Sequence, residues 1–258
     1  MDLTVIPDLK GKSVLITGAS TGIGAAAARA FGLAGCRVAI HYNASVNRAE
    51  EVAADVRFAG GEAFLVGGDF TSSTKAREVV TAAAERFGGL DILVNNAGGL
   101  VQRVPIGEVD DAFFDAVMDL NVRSLVAACS AAVPYMRNAG RGNIVNVTSI
   151  AARHGGGAGA VLYASAKGFV STFTRGLAKE LVKDNIRVNA VSPGVITTPF
   201  HDRYSTPAML ETFRATIPMG RLGTPEECVG AFLYLASEAL SGYVTGQILE
   251  VNGGQYMP

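Results

Sequence analysis

Three cysteines, Cys36, Cys129 and Cys228, are scattered through 258 residues. An odd, unpaired set excludes a disulfide framework and the paired spacing of a structural zinc site, leaving reduced core thiols as the expectation. Histidine is equally sparse: His41, His154 and His201 lie far apart and lack neighbouring carboxylates, so no metal site is expected. Charge of one sign is missing too. The 22 basic and 23 acidic residues give a net charge of −1 and form no block, which argues against nucleic-acid or anionic-membrane partners and for a small-molecule substrate. The start, MDLTVIPDLKGK, has no basic stretch followed by an apolar one, and no later stretch is expected to give the roughly 18 apolar residues a membrane span requires. The expected location is cytoplasmic.

What is present is alternation. Short apolar runs, SVLITG, RVAIHY, EAFLVGGD, LDILVNNAG, GNIVNVTS, NIRVNAVSPG and GQILEV, are separated by helical patterns. Strands of this kind, buried on both faces and separated by helices, specify βαβ units and a parallel sheet. The crossovers are right-handed, which puts helices on both sides. The expected fold is a single α/β domain over residues 1–258, a Rossmann-type doubly wound sheet of about seven strands. The one long stretch without a strand, residues 196–224, is expected to be a substrate loop.

Gly18, Gly22 and Gly24 fall between the first strand and a helix. They permit a tight turn and close approach to the helix N-terminus, where free N–H groups suit a pyrophosphate. The spacing, G-x3-G-x-G, departs from the usual dinucleotide pattern, and a turn that binds nothing is the alternative. Tyr163 and Lys167 stand four apart in a helical pattern and so share one face. A neighbouring ammonium lowers a phenol from its ordinary pKa near 10 and fits Tyr163 for general acid or base work. Ser149 closes the run GNIVNVTS at the sheet edge where open α/β folds bind ligands, and its hydroxyl suits a developing oxyanion.

Taken in order along the chain, these motifs resemble the short-chain dehydrogenase/reductase family. Thr17-Gly18-Ala19-Ser20-Thr21-Gly22-Ile23-Gly24 is similar to its TGxxxGxG turn, Asn95-Asn96-Ala97-Gly98 to its NNAG motif, and Ser149 with Tyr163 and Lys167 to its Ser-YxxxK set. The resemblance implies an NAD(P)-dependent oxidoreductase that interconverts a carbonyl and an alcohol by hydride transfer. It adds Asn121 as a fourth catalytic member, linking Lys167 to solvent, and gives Lys167 a second role on the nicotinamide ribose. It further implies cofactor contacts from Ser20, Thr21, Ile23, Asn96, Ala97 and Gly98, and from Pro193, Gly194, Ile196 and Thr198 beside the nicotinamide. Asp69 and Phe70 would lie at the adenine; for Asp69 the alternative is an acid that starts the next helix.

No acid follows the second strand until Glu50, so nothing there repels a 2′-phosphate. Tyr42, Asn43 and Ser45 offer hydrogen bonds to it, with Arg48 as a further candidate. NADP(H) is therefore expected over NAD(H), although Thr21 stands where many NADP-using members of the family carry arginine. Around the carbonyl, the GGLVQR segment, Arg153, His154, His201, Arg203 and Arg221 suggest a polar, carboxylate-bearing substrate. NNAGGLV, the HGGGAG loop, PFH and the tail SGYVTGQILEVNGGQY resemble reductases of keto-uronates formed in alginate breakdown. Two alternatives stand beside this: a 3-oxoacyl-[acyl-carrier-protein] reductase, and a dinucleotide-sensing regulator, which would be expected to lose Tyr163 or Lys167. Two helical stretches, DAFFDAVMDLNVRSLVAACSAAVPYM and GFVSTFTRGLAKELV, are apolar or small around much of their circumference. Family resemblance makes them a subunit contact in a homotetramer; a helix pair buried within one chain is the alternative.

Overall fold

The computed structural model describes residues 6–258. Seven parallel strands form one sheet in the order β3-β2-β1-β4-β5-β6-β7. They are β1 (Ser13–Ile16), β2 (Arg37–Tyr42), β3 (Glu62–Gly67), β4 (Ile92–Asn95), β5 (Gly142–Val147), β6 (Ile186–Pro193) and β7 (Ile248–Val251). The order reverses between β1 and β4, and this switch point opens a crevice at the carboxyl ends of the strands.

The pleat explains why the strands are apolar throughout. Val14 and Ile16 of β1 pack on one face with α1 (Gly22–Leu33), α2 (Val46–Phe58) and α10 (Pro225–Ala236). Leu15 between them packs on the other, with α3 (Ser73–Phe87), α5 (Ser124–Asn138) and α7 (Val161–Leu181). Cys36, Cys129 and Cys228 are unpaired core residues, and burial pushes each thiol up to about 12. Small residues set the layer spacing on the first face: a Cβ on Gly32 of α1 would lie 2.7 Å from a Val56 methyl of α2.

Between β4 and β5 the chain forms α4 (Asp111–Met118), a π turn (Asp119–Arg123) and α5 as one run. This 28-residue run is long and apolar enough to cross a membrane by length and composition. That departs from the expectation that no segment would qualify: counting uninterrupted apolar residues misses a helix whose few charges are spread out. Half of its most apolar window is buried inside the fold, where α5 packs on α3 and α4 on α7.

The strand-free segment 196–224 contains α8 (Pro199–Tyr204) and α9 (Pro207–Ala215). Both begin with proline after a threonine N-cap, Thr198 and Thr206, an arrangement that suits a first helical turn. The remaining short helices are α6 (Ala151–His154) and α11 (Glu238–Ser241).

Candidate active site

The glycine turn is held open from behind. Gly18 and Gly22 adopt left-handed conformations, φ +63° and +56°. A Cβ on Gly24 would lie 2.4 Å from the Gly18 carbonyl oxygen and 2.5 Å from Asn96 Nδ2. Asn96 donates from Nδ2 to the carbonyls of Thr17 (2.9 Å) and Gly18 (3.0 Å), while Thr17 Oγ1 accepts from the N–H groups of Asn96 and Ala97. Asn96 therefore shapes the turn as well as lining it. The α1 N-terminus has no side-chain cap and no acid in its first turn, so this cradle fits a pyrophosphate by shape and by dipole.

His41 completes the turn, a role that its isolation in the sequence concealed. Its Nδ1 accepts the Gly18 N–H at 2.9 Å, and Nε2 lies 2.9 Å from the Gly68 carbonyl oxygen. An acceptor at Nδ1 and a donor at Nε2 require the neutral imidazole, and burial holds its pKa down at about 4.

A groove of about 250 Å³ runs from this turn past Ser20, Asn43, Ser45, Phe70 and Ala97. Tyr42 does not line it. The pleat sends His41 toward Phe70 and Tyr42 to the opposite face, where the tyrosine ring lies over Gly67. Asp69 is exposed and does not line the groove either, its Oδ1 accepting the Thr71 N–H. The α3 N-cap is Ser72, so Asp69 is not the helix-start acid.

The groove shares Gly18, Thr21, Asn96 and Gly98 with a cleft of about 270 Å³. Ser149, Tyr163, Lys167, Pro193, Gly194 and Ile196 meet there. Thr198 lines it too, and a Cβ on Gly22 would touch the Thr198 methyl at 3.2 Å. The Ser149 hydroxyl favours the Tyr163 phenolate, and burial, which outweighs it, pushes the phenol up to about 12. Lys167 Nζ donates to the Val147 carbonyl at 2.9 Å and sits 5.8 Å from the Tyr163 ring centre. Burial brings the lysine down to about 8. The expected lowering of Tyr163 by Lys167 is thus reversed in the protein alone, because desolvation of the phenol dominates.

Asn121 sits in the π turn between α4 and α5, an irregularity common at functional positions. Its Nδ2 donates to the Gly99 and Val117 carbonyls at 2.8 and 2.9 Å, and its Oδ1 accepts the Gly99 N–H at 3.0 Å. A Cβ on Gly98 would meet both Asn121 Oδ1 (2.8 Å) and Lys167 Nζ (3.1 Å). Glycine there lets the two side chains converge.

The cations suggested for the substrate separate cleanly. Arg153 pairs with Glu250 at 3.0 Å and lies over Tyr256. Arg221 pairs with Glu227 on the exposed surface, and Arg203 stacks on Tyr204 outside the cleft. His154 and His201 do line the cleft, and Arg103, the last residue of GGLVQR, joins them. Asp and Glu are absent from the cleft lining among the described residues. No cluster of three metal-ligating side chains occurs among those residues either.

Residues 18–255 match the family described as Enoyl-(Acyl carrier protein) reductase. The chain belongs to the short-chain dehydrogenase/reductase family. It is similar to the NADH-dependent reductase A1-R′ responsible for alginate metabolism, at 40% identity and TM-score 0.89 over 97% of this chain and 99% of that one. That protein has also been crystallised with NAD. A short-chain dehydrogenase from Burkholderia cenocepacia in complex with NADP shares 33% identity, TM-score 0.89, over 96% of this chain and 99% of that one. The 3-oxoacyl-[acyl-carrier-protein] reductase FabG of Thermotoga maritima is 37% identical over 246 residues, 95% of this chain and 98% of its own. As a short-chain dehydrogenase/reductase the protein is an oxidoreductase, and the cradle described above fits the nicotinamide dinucleotide on which such relatives work.

Proposed function

We propose that the protein reduces the carbonyl of a small keto acid, of the sugar-derived kind, with NADPH. What supports this is a cleft that joins Ser149, Tyr163 and Lys167 to Arg103, His154 and His201 and is lined by no acid among the described residues. Ser149 Oγ and the Tyr163 hydroxyl hold the carbonyl oxygen, and Tyr163 Oη gives it a proton as negative charge develops. A phenol near 12 stays protonated at neutral pH and is ready as the acid. The Lys167 ammonium steadies the phenolate left behind, and Asn121 supports it from the far side of Gly98. The α1 turn together with Pro193, Gly194, Ile196 and Thr198 would hold a nicotinamide dinucleotide, which would supply the hydride when bound.

Support for NADPH comes from the groove, which is lined by Ser20, Thr21, Asn43 and Ser45 and by no carboxylate among the described residues. Ser45 makes no side-chain cap bond to α2, and the first turn of that helix holds no acid. The competing reading on cofactor is NADH, used by the alginate-metabolism relative. The competing reading on substrate is an acyl-carrier thioester, as the name of the Thermotoga relative has it. One experiment separates these: kcat/KM with NADPH and NADH for a keto-uronate, a neutral keto sugar and an acetoacetyl thioester, with Tyr163→Phe as control. Preference for the keto-uronate that disappears in the variant supports the proposal; preference for the thioester replaces it.

A homotetramer fits the exposed apolar residues of the long helices, Phe114 on α4 and Phe169 on α7, where Phe169 stacks on Phe173. Light scattering on the purified protein tests it.

A further inference from the structure

Resting on the carbonyl-reduction reading, we infer that Arg103, with His201 beside it, anchors the substrate's carboxylate, so that this cleft selects keto acids over uncharged carbonyl compounds.

Arg103 follows β4 and lines the cleft. Its Nε donates to the Tyr204 carbonyl at 2.8 Å and its Nη1 to the Ala158 carbonyl at 2.9 Å. These bonds tie the end of α8 to the glycine loop before α7 and fix the plane of the guanidinium. They use two of its five N–H groups. The remaining three, one on Nη1 and two on Nη2, belong to the end of the fork that binds a carboxylate bidentately. Arg103 has no ion-pair partner among the described residues, in contrast to Arg153, Arg214 and Arg221.

His201 is close enough for the Arg103 charge to act on it, and its Nδ1 is engaged with Ser205 Oγ at 2.9 Å. Asp202 is the adjacent acid, but it is exposed and does not line the cleft. Phe200 and Phe213 close over the His201 ring. A partly buried cation held rigidly without a counter-ion is costly in the free protein and gains most from a ligand that brings the missing charge. Gln255 also lines the cleft; it donates from Nε2 to Thr216 Oγ1 at 2.7 Å, while its Oε1 is buried with no partner. That acceptor suits a substrate hydroxyl, which narrows the acid toward a hydroxylated one.

The test compares a keto-uronate with its methyl ester, assayed with NADPH on wild type, Arg103→Met, Arg103→Lys and His201→Asn. Binding of the acid to the NADP+ holoenzyme is followed in parallel by calorimetry. The acid-to-ester ratio of kcat/KM is expected to be large in wild type and to fall about 30-fold in Arg103→Met, as loss of a charge-assisted pair implies. Arg103→Lys should recover part of it, and His201→Asn should lower it less. Because the readout is a ratio, loss of the clasp between α8 and the glycine loop does not imitate the effect. Equal use of acid and ester by wild type, or an unchanged ratio in Arg103→Met, overturns the anchor. Failure to turn over either compound with NADPH or NADH, with acid binding that still depends on Arg103, overturns the reduction reading and leaves the anchor standing.

Discussion

Acidification is expected to attack the cofactor turn through His41 before it reaches any carboxylate of the fold. The imidazole is 2% exposed and must stay neutral, because its Nδ1 accepts from Gly18. An unfolded chain titrates this group near 6.5 and the folded one near 4, so between those values the unfolded state binds the extra proton. Stability is therefore fully present above pH 6.5 and is lost as pH falls toward 4. The loss totals about 3 kcal/mol, at about 1.4 kcal/mol per pH unit. Asp8 and Asp91, whose carboxyls are held below their ordinary value of 3.8, contribute only at lower pH. The measurement is urea unfolding from pH 8 to 4.5 on wild type and His41→Asn, with the imidazole followed directly by NMR. The variant should lose most of the slope across that window. A His41 that titrates near 6.5 in the folded protein, or wild-type stability flat between pH 6.5 and 4.5, would refute the reasoning. Cofactor affinity should hold across most of this range and fall only as pH approaches 4, where the folded imidazole itself gains a proton and its Nδ1 opposes the Gly18 N–H donor to donor.

Tyr163→Phe should lower kcat/KM by about 10³-fold through loss of the general acid, while cofactor titration still shows binding. Because burial brings Lys167 down to about 8, its charge is lost as pH rises through that value; the reduction rate should decline above pH 8, and a profile level to pH 10 would contradict this. Gly24→Ala forces a Cβ to 2.4 Å from the Gly18 carbonyl, and fluorescence titration should show cofactor affinity weakened by tenfold or more, about 1.4 kcal/mol. Ser45→Asp places a carboxylate in the groove and should move the NADPH-to-NADH ratio of kcat/KM toward NADH; a ratio that stays put argues against the 2′-phosphate assignment.

Much of this was readable in the chain because the chemistry is local in sequence. The glycine turn, the Tyr163–Lys167 spacing and the apolar runs each carry their meaning within a few residues, and the seven strands form where those runs lie. What was hidden depends on partners far away. His41 looks like an isolated strand residue until Gly18 and Gly68 are placed around it. Arg153 and Arg221 looked equal to Arg103 as substrate cations, and only the fold reveals that the first two have carboxylates while the third does not. Tyr42 offers the same hydrogen-bonding chemistry as Asn43 and Ser45, but the two-residue period of a strand turns it away from the groove. Neither the helices of 196–224 nor the π turn at Asn121 left a periodic signal strong enough to read.

That π turn carries a consequence of phase. A helical residue advances the chain by about 100°, and the wider turn at Asp119–Arg123 takes up one extra residue between α4 and α5, where Asn121 is buried. Deleting one residue there would leave composition and hydropathy almost untouched. It would let α4 and α5 run on as one regular helix, with α5 still seated on α3, and would carry Asn121 out of its place beside Gly99. Length variation between relatives should therefore be tolerated in the connection before α4 and refused within these five residues.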